Sequence, residues 1–143
     1  MTSSSSLAAR LRRPYRAALA AVPLAGAGSL AVAQLRPAPP LADDLHALLS
    51  AASVGACFAA MVVSRALLRP ERVEEAEDPA RHIYSSFLVT WALCVAGSLA
   101  GAALCALTGQ PGDLAPSAAV SLLTALAHPP TEARVRAALG ARR

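Results

Sequence analysis

The sequence is short of charged residues and lacks two residue types altogether. Only 15% of its 143 residues are charged, against about 25% in an average soluble domain. It contains no Lys and no Asn, a single Ile (Ile83), and 3% aromatic residues. The skew towards Ala, Arg, Gly and Pro matches the codon bias of a GC-rich genome and carries no functional information. The scarcity of charge argues against a soluble domain and predicts a membrane protein.

Four stretches contain no Asp, Glu, Arg or Lys: residues 17–35, 45–64, 83–112 and 114–131. A helix needs about 20 apolar residues to cross the hydrocarbon core of a bilayer. The first three stretches are long enough, whereas the apolar part of the fourth, residues 114–127, would rise only about 21 Å as a helix. Because no ionisable Asp, Glu, Arg or Lys lies inside these stretches, a proton-coupled exporter or a counter-ion pathway is disfavoured.

Arginine alternates along the chain in a way that predicts topology. The five segments before, between and after the four stretches hold four, one, four, no and four arginines. Arginine near span ends favours the cytoplasmic or matrix side, so the alternation predicts that all four stretches cross. We therefore predict an all-α, polytopic integral membrane protein with four transmembrane helices, the fourth short, and both termini on the cytoplasmic or matrix side. A soluble bundle is disfavoured because residues 85–107 show no polar face.

The two ends of the chain are basic and amphipathic. Residues 1–16 carry Leu, Leu and Tyr on one arc of a helical wheel and Arg on the other, which is typical of a mitochondrial targeting segment; those residues are Leu7, Leu11, Tyr15, Arg10, Arg13 and Arg16. This pattern favours the mitochondrial inner membrane. In the alternative, a bacterial cytoplasmic membrane or the endoplasmic reticulum, the arginines only anchor the first span. Pro14 is expected to interrupt this helix.

The tail, residues 131–143, is predicted to form a short helix that rests on the membrane surface through Val135, Ala138 and Leu139. Because the net charge is positive only in residues 1–16 and 131–143, we expect anionic lipid headgroups, and no nucleic acid, as the partners of these two ends. Between the ends, residues 17–130 are predicted to form the transmembrane bundle, which includes a charged inner loop at residues 64–83.

Small residues recur at helical spacing in the second and third stretches. Gly97 and Gly101 form a GxxxG motif, and Ala52, Ala56 and Ala60 repeat every four residues. Helices in a bilayer associate where small side chains let their backbones approach closely. These five residues are the predicted helix-packing interface, used either within the bundle or with a partner helix.

The charged inner loop contains five acids, Glu71, Glu74, Glu75, Glu77 and Asp78. It lacks the glycine turn and alternating ligands of a calcium loop, so we predict either a solvated charged loop or one that docks a soluble basic partner. His82 and His128 are both expected near the inner surface, where a haem or metal between them is a further hypothesis, whereas His46 is expected on the outer side and alone. With no motif to support ligation, we predict no metal and no cofactor.

No Ser/His/Asp set, Gly-rich phosphate loop or HExxH motif is present in the sequence, and no catalytic residue is predicted. The leading hypothesis is a non-catalytic accessory or assembly subunit of a larger inner-membrane complex, with other membrane subunits as partners. The alternative is a small oligomeric channel, pore or transporter whose path is lined by Ser, Thr and Gly.

Overall fold

The computed structural model of the chain describes residues 4–35 and 42–140, and within these ranges all regular structure is helical. Predictions on Arg36, Arg142 and Arg143 lie outside the described residues. The elements are α1 (Ser4–Leu35), α2 (Asp43–Leu67), α3 (Pro70–Glu74), α4 (Pro79–Thr108), a 3-10 turn (Pro111–Asp113), α5 (Ala115–Ala127) and α6 (Glu132–Gly140).

Three helices, α1, α2 and α4, are long and apolar enough to cross a membrane, with mean hydropathy of 1.6, 2.0 and 1.9 over their most apolar windows. The predicted all-α class with apolar membrane-length helices is confirmed for these three. The fourth helix, α5, has 13 residues and would rise only about 20 Å. A fourth crossing and the sidedness of the termini therefore stay predictions.

Helix α1 is continuous from Ser4 to Leu35 and contains both Pro14 and Pro23, so the expected interruption at Pro14 is wrong. A proline inside a helix removes one backbone hydrogen bond and clashes with the preceding turn. Side-chain packing on both sides of Pro14 offsets that cost, because Leu7, Leu11 and Ala18 are all buried in the same cluster. The segment 4–16 and the first apolar stretch are thus one element.

Helix α4 is central and contacts each of the other five helices. It begins where the Asp78 carboxylate accepts the Arg81 backbone N–H, with Pro79 at its first position; both are favourable at a helix start. It ends at Gly109, the one described residue with positive φ, at 70°. The Gly109 N–H bonds to the Cys105 carbonyl and closes the last turn, which is the usual role of a left-handed glycine.

Large apolar side chains join α1, α3, α4 and α6 at one end of the bundle. We call this group the apolar cluster; it consists of Leu7, Ala8, Leu11, Ala18, Val73, Ile83, Phe87, Trp91 and Val135. Val135 of α6 is 0% exposed, and Ala138 and Leu139 pack against the same cluster. Val135 on the apolar face of the tail therefore packs on the protein, and not on a membrane surface as predicted. The reason is that α5 brings the chain back to the end of the bundle where the side chains of α1 and α4 form the apolar cluster.

The two ends of the bundle differ in charge. Every arginine that the structure describes belongs to the segments around the apolar cluster: the start of α1, the end of α2, the α2–α4 connection and α6. We call this the arginine end. The charged residues described at the opposite end are Asp43, Asp44 and Asp113, and we call it the aspartate end.

Candidate functional site

Helices α2, α4 and α5 meet through small and polar side chains, and this interface is the candidate site. We call it the polar seam. It consists of Ser53, Cys57 and Ser64 from α2, Cys94, Gly97 and Gly101 from α4, and Ser117, Ser121 and Thr124 from α5. All nine residues are buried, and the seven side chains other than the glycines are at most 5% exposed.

At the middle of the polar seam, a short hydrogen-bond chain links the three helices. Ser121 Oγ donates to the Cys94 carbonyl at 2.8 Å. Because Ser121 donates its one hydroxyl proton to that carbonyl, Ser121 Oγ can only accept in its 3.0 Å contact with Cys57 Sγ, and the thiol proton is shared between this oxygen and backbone carbonyls. Cys57 Sγ also lies 3.2 Å from the Ser53 carbonyl of its own helix. One residue from each helix is thereby tied at the same level of the bundle.

The two glycines of the GxxxG motif permit the close approach of α4 to its neighbours. A Cβ placed on Gly97 would overlap Cys57 Sγ and would lie 3.1 Å from the Ser53 carbonyl oxygen. A Cβ on Gly101 would overlap Ser117 Oγ and lie 2.9 Å from Ser117 Cβ. Gly97 thus faces α2 and Gly101 faces α5, so both are occupied within the chain.

The alanines of the predicted interface occupy different environments. Ala60 is fully buried, Ala56 is half-buried, and Ala52 is exposed. The face of α2 that packs inward runs instead through Ser53, Cys57, Ala60 and Ser64. The buried face is therefore rotated by one residue from the Ala52–Ala56 row.

At the aspartate end, His46 and Asp113 form a pair that corrects the expectation of an isolated His46. His46 Nε2 lies 2.8 Å from Asp113 Oδ1, and the Asp113 side chain is only 10% exposed. Thr108 Oγ1 donates to the other carboxylate oxygen at 2.5 Å. The start of α2, the end of α4 and the 3-10 turn before α5 are thereby joined.

At the arginine end, the two remaining histidines bond to their neighbours and not to each other. His128 Nδ1 donates to the Thr124 carbonyl at 2.8 Å, and its Nε2 lies 3.1 Å from Ser64 Oγ. His82 Nε2 donates to the Leu67 carbonyl at 2.9 Å. Among the residues in ranges 4–35 and 42–140, no group of three or more metal-binding side chains is brought together. His82 and His128 thus each have a hydrogen-bond partner within the chain, and the haem or metal hypothesis stays a hypothesis.

The five acids of the inner loop are all exposed: Glu71, Glu74, Glu75, Glu77 and Asp78. Asp78 caps α4. Within the described part of the chain, the four glutamates of this loop form no ion pair. Their charge faces solvent, and their predicted role in docking a partner stays a prediction.

Chemically, the polar seam is a packing contact stabilised by hydrogen bonds. The hydroxyls of Ser53, Ser64 and Ser117 each donate to a carbonyl one turn earlier in their own helix, which satisfies them in an apolar environment. The α5 part of the seam has a readable sequence signal, since Ser117, Ser121, Thr124 and His128 recur at helical spacing. The His46–Asp113 pair has no such signal, because its partners are 67 residues apart.

No protein-family model, curated protein or solved structure matches this chain.

Proposed function

We propose that this protein is a non-catalytic subunit, four times membrane-spanning, that assists or assembles a larger complex in the mitochondrial inner membrane. The four-span topology is supported by the gathering of the described arginines at one end of the bundle. Helix α5 starts beside the end of α4, and α6 packs beside the start of α4. If α5 crosses the membrane, every connection between spans obeys the positive-inside rule.

The observation that carries the subunit role is a row of exposed alanines on the central helix. Ala92, Ala96, Ala100 and Ala103 are all exposed along α4, on the side away from Gly97 and Gly101. Ala92 and Ala96 also line an apolar groove of about 500 Å³ with Ala17, Ala21 and Trp91. A partner helix could approach this surface closely, which is how helices associate in lipid.

A pore inside one chain is less well supported, because the Ser, Cys and Gly positions of the polar seam are buried against one another. An oligomeric pore would need a path between chains, lined by other residues. Liposomes that contain the purified protein decide between the two roles: we expect no solute or ion leakage above that of empty liposomes. Leakage that rises with protein content would favour the channel alternative.

We also propose that residues 4–16 stay attached after any targeting event. Leu7, Ala8 and Leu11 are at most 4% exposed and belong to the apolar cluster, so their removal would expose Ile83, Phe87 and Val135. Amino-terminal sequencing of the protein from its native membrane should therefore find a start before Leu7. A start after Arg16 would contradict retention and would leave the targeting prediction intact.

The subunit role is tested by gentle detergent extraction, native electrophoresis and identification of co-migrating proteins. We expect the wild type to migrate in an assembly much larger than its 14.5 kDa. The double variant A92L/A96L fills the alanine row and should release the chain from that assembly. The control A27L/A31L places the same side chains on an exposed face of α1 and should not. Migration of the wild type as a monomer would contradict the proposal.

A further inference from the structure

Three arginines from two helices line one cavity at the arginine end. The cavity has a volume of about 620 Å³ and lies between the starts of α1 and α4. Arg10 and Arg13 reach it from α1, and Arg81 reaches it from α4. Leu7, Ala80 and Tyr84 supply its apolar and aromatic walls.

These three guanidinium groups have no acidic partner among the residues in ranges 4–35 and 42–140, where the ion pairs are His46–Asp113 and Arg136–Glu132. Asp78 also lines the cavity, but one of its carboxylate oxygens accepts the Arg81 backbone N–H at 3.1 Å and caps α4. The side chains around the cavity thus carry a net positive charge, which favours an anion.

The start of helix α4 offsets the negative charge of Asp78, which caps it. The helix has 30 residues and starts at Pro79, so the positive end of its dipole lies beside the cavity. Arginine is suited to phosphate because its planar guanidinium group donates two parallel hydrogen bonds. Three such groups around one cavity match the oxygens of a phosphate.

We propose that this cavity binds the phosphate group of an anionic phospholipid, with Arg10, Arg13 and Arg81 as its ligands. The phosphate chemistry is shared by soluble phosphates, but the position favours a lipid. Helices α1 and α4 are both long enough to span a membrane, and the cavity lies where their arginine-bearing ends leave the apolar region. Leu7, Ala80 and the Tyr84 ring can contact the glycerol and upper acyl carbons. The inference rests on the bilayer placement in the proposed function and is independent of the subunit role.

A second cationic cavity, of about 580 Å³ between α2 and α5, is the weaker candidate. It contains Arg65, His128 and Arg134. The Arg134 guanidinium donates to the Ala127 carbonyl, and His128 bonds to Thr124 and Ser64. Two of its three basic groups are therefore already engaged, unlike those of the first cavity.

The experiment measures lipid binding to the purified full chain by native mass spectrometry in detergent. The probes are phosphatidylglycerol and phosphatidylcholine with the same acyl chains. We expect phosphatidylglycerol to bind at least tenfold more tightly. Glycerol 3-phosphate and inorganic phosphate are then added as competitors. Equal binding of the two lipids, or displacement of phosphatidylglycerol by an equimolar soluble phosphate, would overturn the lipid site.

Two variants that remove the same charge from the same helix locate the site. R10Q/R13Q changes two arginines that line the cavity and should weaken phosphatidylglycerol binding about thirtyfold, from two lost arginine contacts. R12Q/R16Q changes their neighbours, which line another cavity with Glu132, and should weaken binding less than about threefold, since surface attraction alone is then reduced. Equal weakening by both variants would show a diffuse surface effect and refute the site.

Circular dichroism and elution volume verify that both variants fold. If R10Q/R13Q does not fold, the lipid preference of the wild type and the competition by soluble phosphate still decide the question. The subunit role has a separate readout: a chain without lipid preference that still co-migrates with a large assembly refutes only the lipid site. A monomeric chain that prefers phosphatidylglycerol refutes only the subunit role.

Discussion

Two regions of this bundle achieve close packing with opposite kinds of side chain. In the apolar cluster, α1, α3, α4 and α6 meet through large residues such as Leu11, Ile83 and Trp91, and Trp91 stacks at tilted angles with Tyr15 and Phe87 at centroid distances of 5.3 and 5.4 Å. In the polar seam, α2, α4 and α5 meet through Ser, Cys and Gly. The single helix α4 presents both surfaces.

The difference follows from what surrounds each region in the membrane placement proposed above. The apolar cluster lies among arginine-bearing segments, where burial of large apolar side chains removes them from water and is favourable. The polar seam lies among apolar helices, where lipid tails solvate a leucine as well as a protein does. Stability there comes from close contact and hydrogen bonds, which small and hydroxyl-bearing residues provide.

The largest effect is expected when two equally buried leucines are each replaced by alanine. Leu11 lies in the apolar cluster and is 0% exposed, and Leu104 lies near the other end of α4 and is 1% exposed. L11A should lower the free energy of unfolding by about 4 kcal/mol, because transfer and cavity costs add. L104A should cost about 2 kcal/mol, since the transfer cost is small in lipid. Both are measured by denaturant titration in mixed micelles. Equal losses of unfolding free energy for L11A and L104A would show that the surroundings of the two leucines do not differ in the way described.

The next effect tests the close approach in the polar seam. G97L places a branched side chain where Cys57 Sγ and the Ser53 carbonyl lie, so we expect a loss of about 3 kcal/mol from overpacking. G55L is the matched control, because a Cβ on Gly55 meets nothing within 4 Å, and it should be close to neutral in the same titration. A denaturation midpoint of G97L equal to that of the wild type would show that α2 and α4 are not in contact at Gly97.

A smaller effect isolates the hydrogen bonds of the polar seam from its shape. S121A removes the donor to the Cys94 carbonyl and the acceptor for the Cys57 thiol, and should cost about 1 kcal/mol. S85A removes a hydroxyl of the same size that is exposed and bonds within its own helix, and should change stability by less than about 0.5 kcal/mol. A smaller loss for S121A than for S85A would mean that the hydroxyls of the seam contribute nothing.

The smallest effect concerns the aspartate end. A double-mutant cycle of H46Q and D113N should give a coupling of about 0.5–1 kcal/mol, as expected for a partly exposed hydrogen bond between an imidazole and a carboxylate. His46 and Asp113 side chains are 35% and 10% exposed, which places the pair between surface and interior. The same cycle on H46Q and D44N is the control and should give no coupling, since Asp44 is exposed. Equal coupling in both cycles would show that the contact is not specific.

The features of the fold that the sequence predicts correctly are those that depend on short-range patterns of apolar and charged residues. The all-α class and the long apolar helices follow from uninterrupted apolar stretches, and the burial of Leu7 and Leu11 opposite the arginines follows from helical period. The sequence does not predict which face of α2 is buried, because alanine and serine differ too little in hydropathy to show which line of residues along the helix faces the core. Only contact with Gly97 decides that Cys57 lies inward and Ala52 outward.

Contacts between distant parts of the chain were not predictable in the same way. The local sequence around Pro14 predicts a break in the helix, yet α1 is continuous because Leu11 and Ala18 pack on α4. The His46–Asp113 pair and the burial of Val135 depend on how α5 returns the chain, which no short-range pattern encodes.

The burial of Val135 against Leu7 and Leu11 has a consequence for biosynthesis. Helix α1 leaves the ribosome before α6, so it meets part of its packing surface only when α6 has been made. Until then the part of the apolar cluster that Val135 covers stays exposed, a state that favours aggregation or proteolysis. A nascent chain that stops before α6 therefore lacks Val135 in the apolar cluster, so the packing of α1 is complete only after α6 has been translated.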